Sequence, residues 1–174
     1  MPTAKPLVAI LMGSASDLEA VAPAFATLEQ LGVPYEVRAA SAHRSPDLVA
    51  RFAARAAKRG IQVIIAAAGL AAHLPGALAA QTSLPVIGLP LASQPLNGID
   101  SLLSIVQMPP GVPVATVGIN AAANAALLAA QIIALQDPAV AAELARYRAS
   151  QRNAVTSQNT QLRKRLADTS QEGT

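Results

Sequence analysis

The stretch Leu7-Val8-Ala9-Ile10-Leu11-Met12-Gly13-Ser14-Ala15-Ser16-Asp17-Leu18 joins six apolar residues to a Gly-Ser turn and the start of a helical pattern. A short apolar run closed by glycine reads as a strand buried on both faces. From Leu18 to Leu31 the apolar positions recur at helical spacing, and Gly32 supplies a C-terminal stop. Strand, loop and helix then repeat. Pro34–Ala40 reads as a strand, Pro46–Arg59 as a helix closed by Gly60, Ile61–Ala67 as a strand and Ala71–Gln81 as a short helix. Leu84–Pro90 and Val112–Ile119 are the fourth and fifth strands, and Ala121–Gln136 is an Ala/Leu helix. Pro138 opens a last helix reaching roughly Leu166.

Five strands separated by helices imply βαβ units, right-handed crossovers and a parallel sheet with helices on both faces. The expected architecture is α/β, a three-layer α/β/α fold with a flavodoxin-like five-stranded parallel sheet of order 2-1-3-4-5 and a long C-terminal helix. A length of 174 residues suits one domain. That domain is expected over residues 1–167, its C-terminal helix starting at about 138, with 168–174 as a disordered tail. Only two Phe, two Tyr and no Trp accompany a 52% hydrophobic content, so the core must be built from Ala, Val, Ile and Leu. Such an Ala-rich, weakly charged chain is also expected to bury helix faces against sister subunits.

The net charge of +3 raises the question of nucleic acid. Its position answers it. From Met1 to Pro138 the basic residues Lys5, Arg38, Arg44, Arg51, Arg55, Lys58 and Arg59 are matched by Asp17, Glu19, Glu29, Glu36, Asp47, Asp100 and Asp137. The excess belongs to Ala139–Thr174, and a neutral body with a basic last helix lacks the clustered charge and reading side chains of a nucleic-acid groove. There is no cysteine, which removes disulfides, thiol nucleophiles and zinc–thiolate sites. The first six residues lack the pattern of a signal peptide, and no apolar run reaches the ~18 residues of a membrane span. A cytoplasmic protein acting on a small molecule, with neither nucleic acid nor membrane as partner, is expected.

In open parallel sheets ligands sit beyond the carboxyl ends of the strands, at the switch point beside strand 1. Three loops converge there: Gly13-Ser14-Ala15-Ser16-Asp17, Ser41-Ala42-His43-Arg44-Ser45-Pro46-Asp47, and Ala68-Gly69-Leu70-Ala71-Ala72-His73-Leu74-Pro75-Gly76. Both histidines of the chain are among them. The first loop offers a glycine turn, two hydroxyls and backbone N–H groups at a helix start, the parts of a phosphate site. The same residues also fit a plain helix cap, with Ser14 or Ser16 capping and Asp17 favoured by the dipole. An Asp beside a phosphate is repelled, so in a phosphate site Asp17 would rather hold a ribose diol. Ser41, His43 and Arg44 supply a hydroxyl, a group that titrates near neutrality and a cation suited to bidentate phosphate contact. His73 could act on a ligand or orient the loop before Leu74. Two His and one Asp make a poor metal set, and nucleophile-elbow, Walker and GxGxxG motifs are absent.

With these motifs in fixed order the chain resembles the class I N5-carboxyaminoimidazole ribonucleotide mutases of purine biosynthesis. The likeness rests on Met12–Asp17, Ser41–Asp47 and Ala71–Gly76. Gly98-Ile99-Asp100-Ser101-Leu102-Leu103-Ser104-Ile105-Val106-Gln107-Met108-Pro109 and Gly111–Val117 extend it, and it covers about residues 7–150. A class II branch carboxylates aminoimidazole ribonucleotide directly with CO2. Its members typically carry Ser-Ala-His-Lys where this chain has Ser41-Ala42-His43-Arg44, and they lack the Ala-Ala-His-Leu-Pro-Gly loop. Both features favour the mutase. Many class I members carry glycines where this chain has Ala67 and Leu70. If either position takes a positive φ, its side chain costs energy, most of all for Leu70.

The resemblance implies movement of a carboxylate from the exocyclic nitrogen to ring carbon C-4, with no metal and no organic cofactor, through loss and recapture of CO2. His43 matches the family's catalytic histidine, as general acid and base. The phosphate is then expected on Ser16, Ser41 and Arg44, and the ribose on Asp17. The base is expected along Ala68-Gly69-Leu70-Ala71, with Gly13, Ser14, His73 and Leu74 completing the binding residues. The family is typically a homo-octamer. The rival readings are a class II-type carboxylase, a non-catalytic nucleotide-binding relative and a purely structural assembly protein.

Overall fold

The computed structural model describes residues 5–171. Five strands, β1 (Val8–Met12), β2 (Tyr35–Ala39), β3 (Val63–Ala68), β4 (Val86–Pro90) and β5 (Ala115–Thr116), form one sheet in the order β2-β1-β3-β4-β5. Every pairing is parallel, with Ile10 aligned to Val37 on one side and to Ile65 on the other. This is the flavodoxin-like order expected from the alternation of apolar runs and helical patterns. The central strands β1, β3 and β4 are buried at every position, as unbroken apolar runs require.

Helices α1 (Leu18–Gln30) and α5 (Ala122–Ala134) cover one face, with α6 (Pro138–Gln171) packed against α5. Val8, Ile10, Ile65 and Leu89 meet Val21, Ala24, Ala126 and Ile133 there. Helices α2 (Pro46–Ala56), α3 (Leu74–Ala79) and α4 (Ile99–Val106) cover the other, where Leu11, Ile64 and Ala66 meet Phe52, Leu78 and Ile105. Full burial of a side chain such as Ile65 or Leu78 contributes roughly 1.5–3 kcal/mol. Gly60, the stop expected after the second helix, takes φ +95 after a closing 3-10 turn at Ala57–Arg59. The edge strand β2 carries charge: Glu36 pairs with Arg59 and Arg38, and both guanidiniums lie over the Phe52 ring at 5.5–5.6 Å. Charged edges of this kind resist pairing with another strand. The Glu36 hydrogen bond holds the Arg59 guanidinium above its usual pKa.

Beyond shifts of one or two residues at element ends, four elements differ from expectation. The fifth strand is two residues rather than Val112–Ile119, because Pro113 has no N–H to donate; one further bond, Val117 N–H to Gly88 O at 3.1 Å, prolongs its contact with β4. The third helix begins at Leu74, not Ala71, and Pro75 sits in its first turn, where the missing N–H does no harm. Helix α4 was not anticipated. It is eight residues long and opens on Gly98 in the left-handed conformation, and Ile99, Leu102, Leu103 and Val106 do recur at helical spacing within it. Helix α6 passes Leu166 and continues to Gln171, so residues 168–171 of the expected tail are helical, and residues 172–174 lie outside the described residues. Among the described residues no helix is long and apolar enough to cross a membrane.

Candidate active site

The carboxyl ends of β1, β2 and β3 open into one crevice of about 430 Å³, within the usual range of small-molecule sites. All thirteen residues expected at the site line it: Gly13, Ser14, Ser16, Asp17, Ser41, His43, Arg44, Ala68, Gly69, Leu70, Ala71, His73 and Leu74. Ala42 joins them. So do Leu91, Ala92 and Ser93 from the segment after β4, a fourth wall that sequence reasoning missed. The same rule about carboxyl ends points to it, but Ser93 is its one polar side chain and gave little signal. Ser93 Oγ is buried and has no hydrogen-bond partner.

The first loop is a closed capping box. Ser14 Oγ accepts from Ser16 N–H at 3.3 Å and from Ser16 Oγ–H at 2.8 Å, while Asp17 Oδ2 accepts from Ser14 N–H at 3.1 Å. Asp17 N–H donates to Ser14 O and Gly13 N–H to Ala67 O, each at 3.2 Å. Of the loop's backbone donors, the N–H groups of Gly13, Ser14, Ser16 and Asp17 are engaged within the chain, as the helix-cap reading requires, and that of Ala15 is not among them. What this loop presents to the crevice is the Ser16 hydroxyl and the Asp17 carboxylate.

The second loop folds on Ser41. Its Oγ accepts from Arg44 N–H at 3.2 Å and from Arg44 Nε–H at 3.4 Å, and its carbonyl accepts from Ser45 N–H at 2.9 Å. Arg44 Nη2 donates to Gly13 O at 3.2 Å, which ties the second loop to the first and brings the guanidinium over to the side of Gly13. His43 reaches the other way. Its Nε2 lies 2.6 Å from Nδ1 of His73, with the two rings tilted by 60° and their centroids 4.6 Å apart. Both imidazoles are exposed to the crevice. One proton fits between the two nitrogens, so one ring donates while the other accepts. His73 is held at the start of α3, its N–H on Ala71 O at 2.8 Å and its carbonyl accepting from Ala77 N–H at 2.9 Å.

The third loop separates the two positions where glycine is usual in the resembling family. Ala67 lies inside β3, fully buried and paired with Met12 and Leu89, so a methyl group costs nothing in extended backbone. Leu70 has φ +54. A left-handed conformation costs a residue with a Cβ about 1–2 kcal/mol. Among the described residues no three His, Asp or Glu side chains gather into a possible metal site. Chemically, the crevice offers two touching imidazoles, one carboxylate, one guanidinium, two hydroxyl-bearing loops and a wall of small residues.

Comparison with known proteins gives a consistent answer. The family described as AIR carboxylase matches residues 7–154. The N5-carboxyaminoimidazole ribonucleotide mutase of Bacillus subtilis is 54% identical over 160 residues, which cover 91% of this chain and 99% of that protein. The protein of the same name from Pyrococcus horikoshii is 56% identical over 147 residues, covering 84% and 83%. Among solved structures, Treponema denticola PurE superposes with a TM-score of 0.81 at 31% identity, covering 90% of this chain and 98% of that one.

Proposed function

The chain belongs to the AIR carboxylase family, and from that premise we infer that it is an N5-carboxyaminoimidazole ribonucleotide mutase, an enzyme of purine biosynthesis. It converts N5-carboxyaminoimidazole ribonucleotide to 4-carboxy-5-aminoimidazole ribonucleotide. The observation that carries this reading is the contact of His43 with His73 on a crevice whose other polar groups are suited to a phosphorylated ribose. A direct carboxylase is not favoured, since relatives more than half identical over most of the chain bear the mutase name.

The reaction divides into two half-steps. The carbamate C–N bond breaks, its electron pair returns to the exocyclic nitrogen, and that nitrogen takes a proton from His43. CO2 is left in the crevice. Ring carbon C-4 then attacks it, the C–C bond forms, and the C-4 proton returns to His43 as base. Proton and charge balance over the cycle, and no oxidant, metal or organic cofactor enters. A wall of small apolar groups at Ala68, Gly69 and Ala71 favours the first half-step, because water stabilises a carbamate more than its neutral products.

Ser16, Ser41 and Arg44 hold the phosphate. The guanidinium's bond to Gly13 O supports this role, since it keeps the cation beside both serine loops. Asp17 holds the ribose diol with Oδ1, while Oδ2 stays on Ser14 N–H. Backbone groups of Ala68–Ala71 face the base. The protein works in the cytoplasm as a homo-octamer. Its exposed apolar stripe Ile99–Leu103–Val106 on α4 supports burial against another copy, and light scattering measures the assembly. The reading as a mutase is tested by the initial rate at varied dissolved CO2: a mutase is indifferent to it, and a carboxylase is proportional to it at low concentration.

A further inference from the structure

Three non-glycine residues among those described have positive φ: Leu70, Asn97 and Asn120. Asparagine tolerates that region, and Asn120 gains from it, since its Oδ1 accepts the Ala92 N–H at 2.9 Å. Leu70 has no polar atom with which to offset the strain. Packing does not offset it either. Its side chain is 53% exposed, whereas Leu74 and Leu91, the other leucines of the crevice wall, are 2% and 4% exposed and belong to the core. The strain therefore holds a large apolar group out at the rim of the crevice, between Gly69 and Ala71. Backbone strain that neither a polar side-chain contact nor packing offsets points to a position with work to do on a ligand.

We propose that Leu70 is the cover of the reaction compartment: its side chain closes over the bound imidazole and keeps the released CO2 beside C-4. The proposal rests on the mutase reading, and it concerns a residue that departs from the family's usual glycine. Between C–N cleavage and C–C formation the CO2 is neutral and bonded to nothing. Polar donors hold a neutral CO2 far more weakly than an anion, so confinement falls to the walls, and on the third loop every neighbour of Leu70 from Ala68 to Ala72 is Ala or Gly, too small to close a rim. Leu70 is the one side chain of that loop before His73 with the length to do so. Contact with the ligand also removes its exposed surface from water, so strain and exposure are offset in the same event.

The test uses the full chain and its Leu70→Gly and Leu70→Met variants. Leu70→Gly restores a residue at ease with φ +54, so it is expected to fold. Substrate labelled with 13C in the carboxyl group is converted in excess unlabelled bicarbonate, and the label in the product is read by mass spectrometry. The parent and Leu70→Met should retain most of the label, while Leu70→Gly should lose several-fold more per turnover. Equal retention in parent and Leu70→Gly overturns the proposal. Calorimetry supplies a second arm: Leu70→Gly should weaken aminoimidazole ribonucleotide about tenfold and leave ribose 5-phosphate unchanged. Uniform weakening, or none, overturns it. If the parent binds the ribonucleotide but forms no product, the mutase reading falls. The calorimetric pair alone then decides the cover. A Leu70→Gly protein that changes mass in light scattering while keeping its label assigns Leu70 to a contact between copies and also overturns the proposal.

Discussion

His43 Nε2 and His73 Nδ1 lie 2.6 Å apart, although thirty residues separate them in the chain. Strands β1 and β3 are neighbours, with β2 on the far side of β1, so the loops after β2 and β3 meet above β1 and bring the rings together. The contact gives His43 a fixed direction and a neighbour that can share its proton. In the account proposed above, His43 moves the proton, and the contact with His73 sets the direction of its ring.

Replacing His43 by asparagine keeps a polar side chain at this position and removes the imidazole. Turnover should fall by at least about 10²-fold, the scale of a general acid–base contribution. Substrate affinity should stay within roughly tenfold, or about 1.4 kcal/mol. Steady-state kinetics together with calorimetry measure the two effects. Retained turnover would remove His43 from the chemistry.

The proposed account gives Asp17 a second task beside its observed cap on Ser14, and different variants separate the two. Asp17→Ala removes the cap and the proposed ribose contact, so stability should drop by about 1 kcal/mol and binding should weaken. Asp17→Asn keeps an oxygen to accept the Ser14 N–H. Its melting temperature should stay near that of the parent while affinity for aminoimidazole ribonucleotide still falls. An Asn variant that binds normally would confine Asp17 to capping.

Gly88 lets α4 lie directly on β4. A Cβ at this position would overlap Ile105 Cγ2 and sit 2.9 Å from Val114 Cγ1. Gly88→Ala should therefore destabilise the fold by roughly 1–3 kcal/mol, as overpacking of a filled core does. Denaturant unfolding with an unchanged slope would confirm a simple loss of stability.

Tyr35 donates to Glu29 Oε1 at 2.7 Å and stacks on Phe25 with centroids 5.6 Å apart. Burial first, then Glu29, pushes its phenol up to about 12. Unfolded phenols titrate near 10. The raised value means that the protonated phenol contributes stability fully below about pH 10, and that this contribution is lost as pH rises through about 12. Tyr35→Phe should flatten that alkaline decline in urea-unfolding experiments. An unchanged decline would place its cause elsewhere.

Much of this was legible in the residues. Apolar runs too continuous for one-faced strands fixed the buried sheet, and the same register placed Ser41, His43, Arg44 and Asp17 at carboxyl ends. Two things were not. Helix α4 has a helical period at Ile99, Leu102, Leu103 and Val106, but its start on a left-handed Gly98 and its close seat on β4, where Gly88 makes room for Ile105, are tertiary facts. The closed hydrogen bonds of Gly13–Asp17 were hidden too, because the same Ser and Asp residues suit a phosphate cradle and a capping box equally well. Leu70 showed its residue type in the sequence; only the backbone gave its strain.

Carboxyl transfer within one substrate can be followed in a single assay. Purified protein is given N5-carboxyaminoimidazole ribonucleotide without ATP, added metal or added bicarbonate, and the product is followed by ultraviolet absorbance and mass. The account predicts conversion to an isomer of unchanged mass that carries the carboxylate on C-4. Decay to aminoimidazole ribonucleotide at the uncatalysed rate, with no C-4 carboxylate formed, would contradict it.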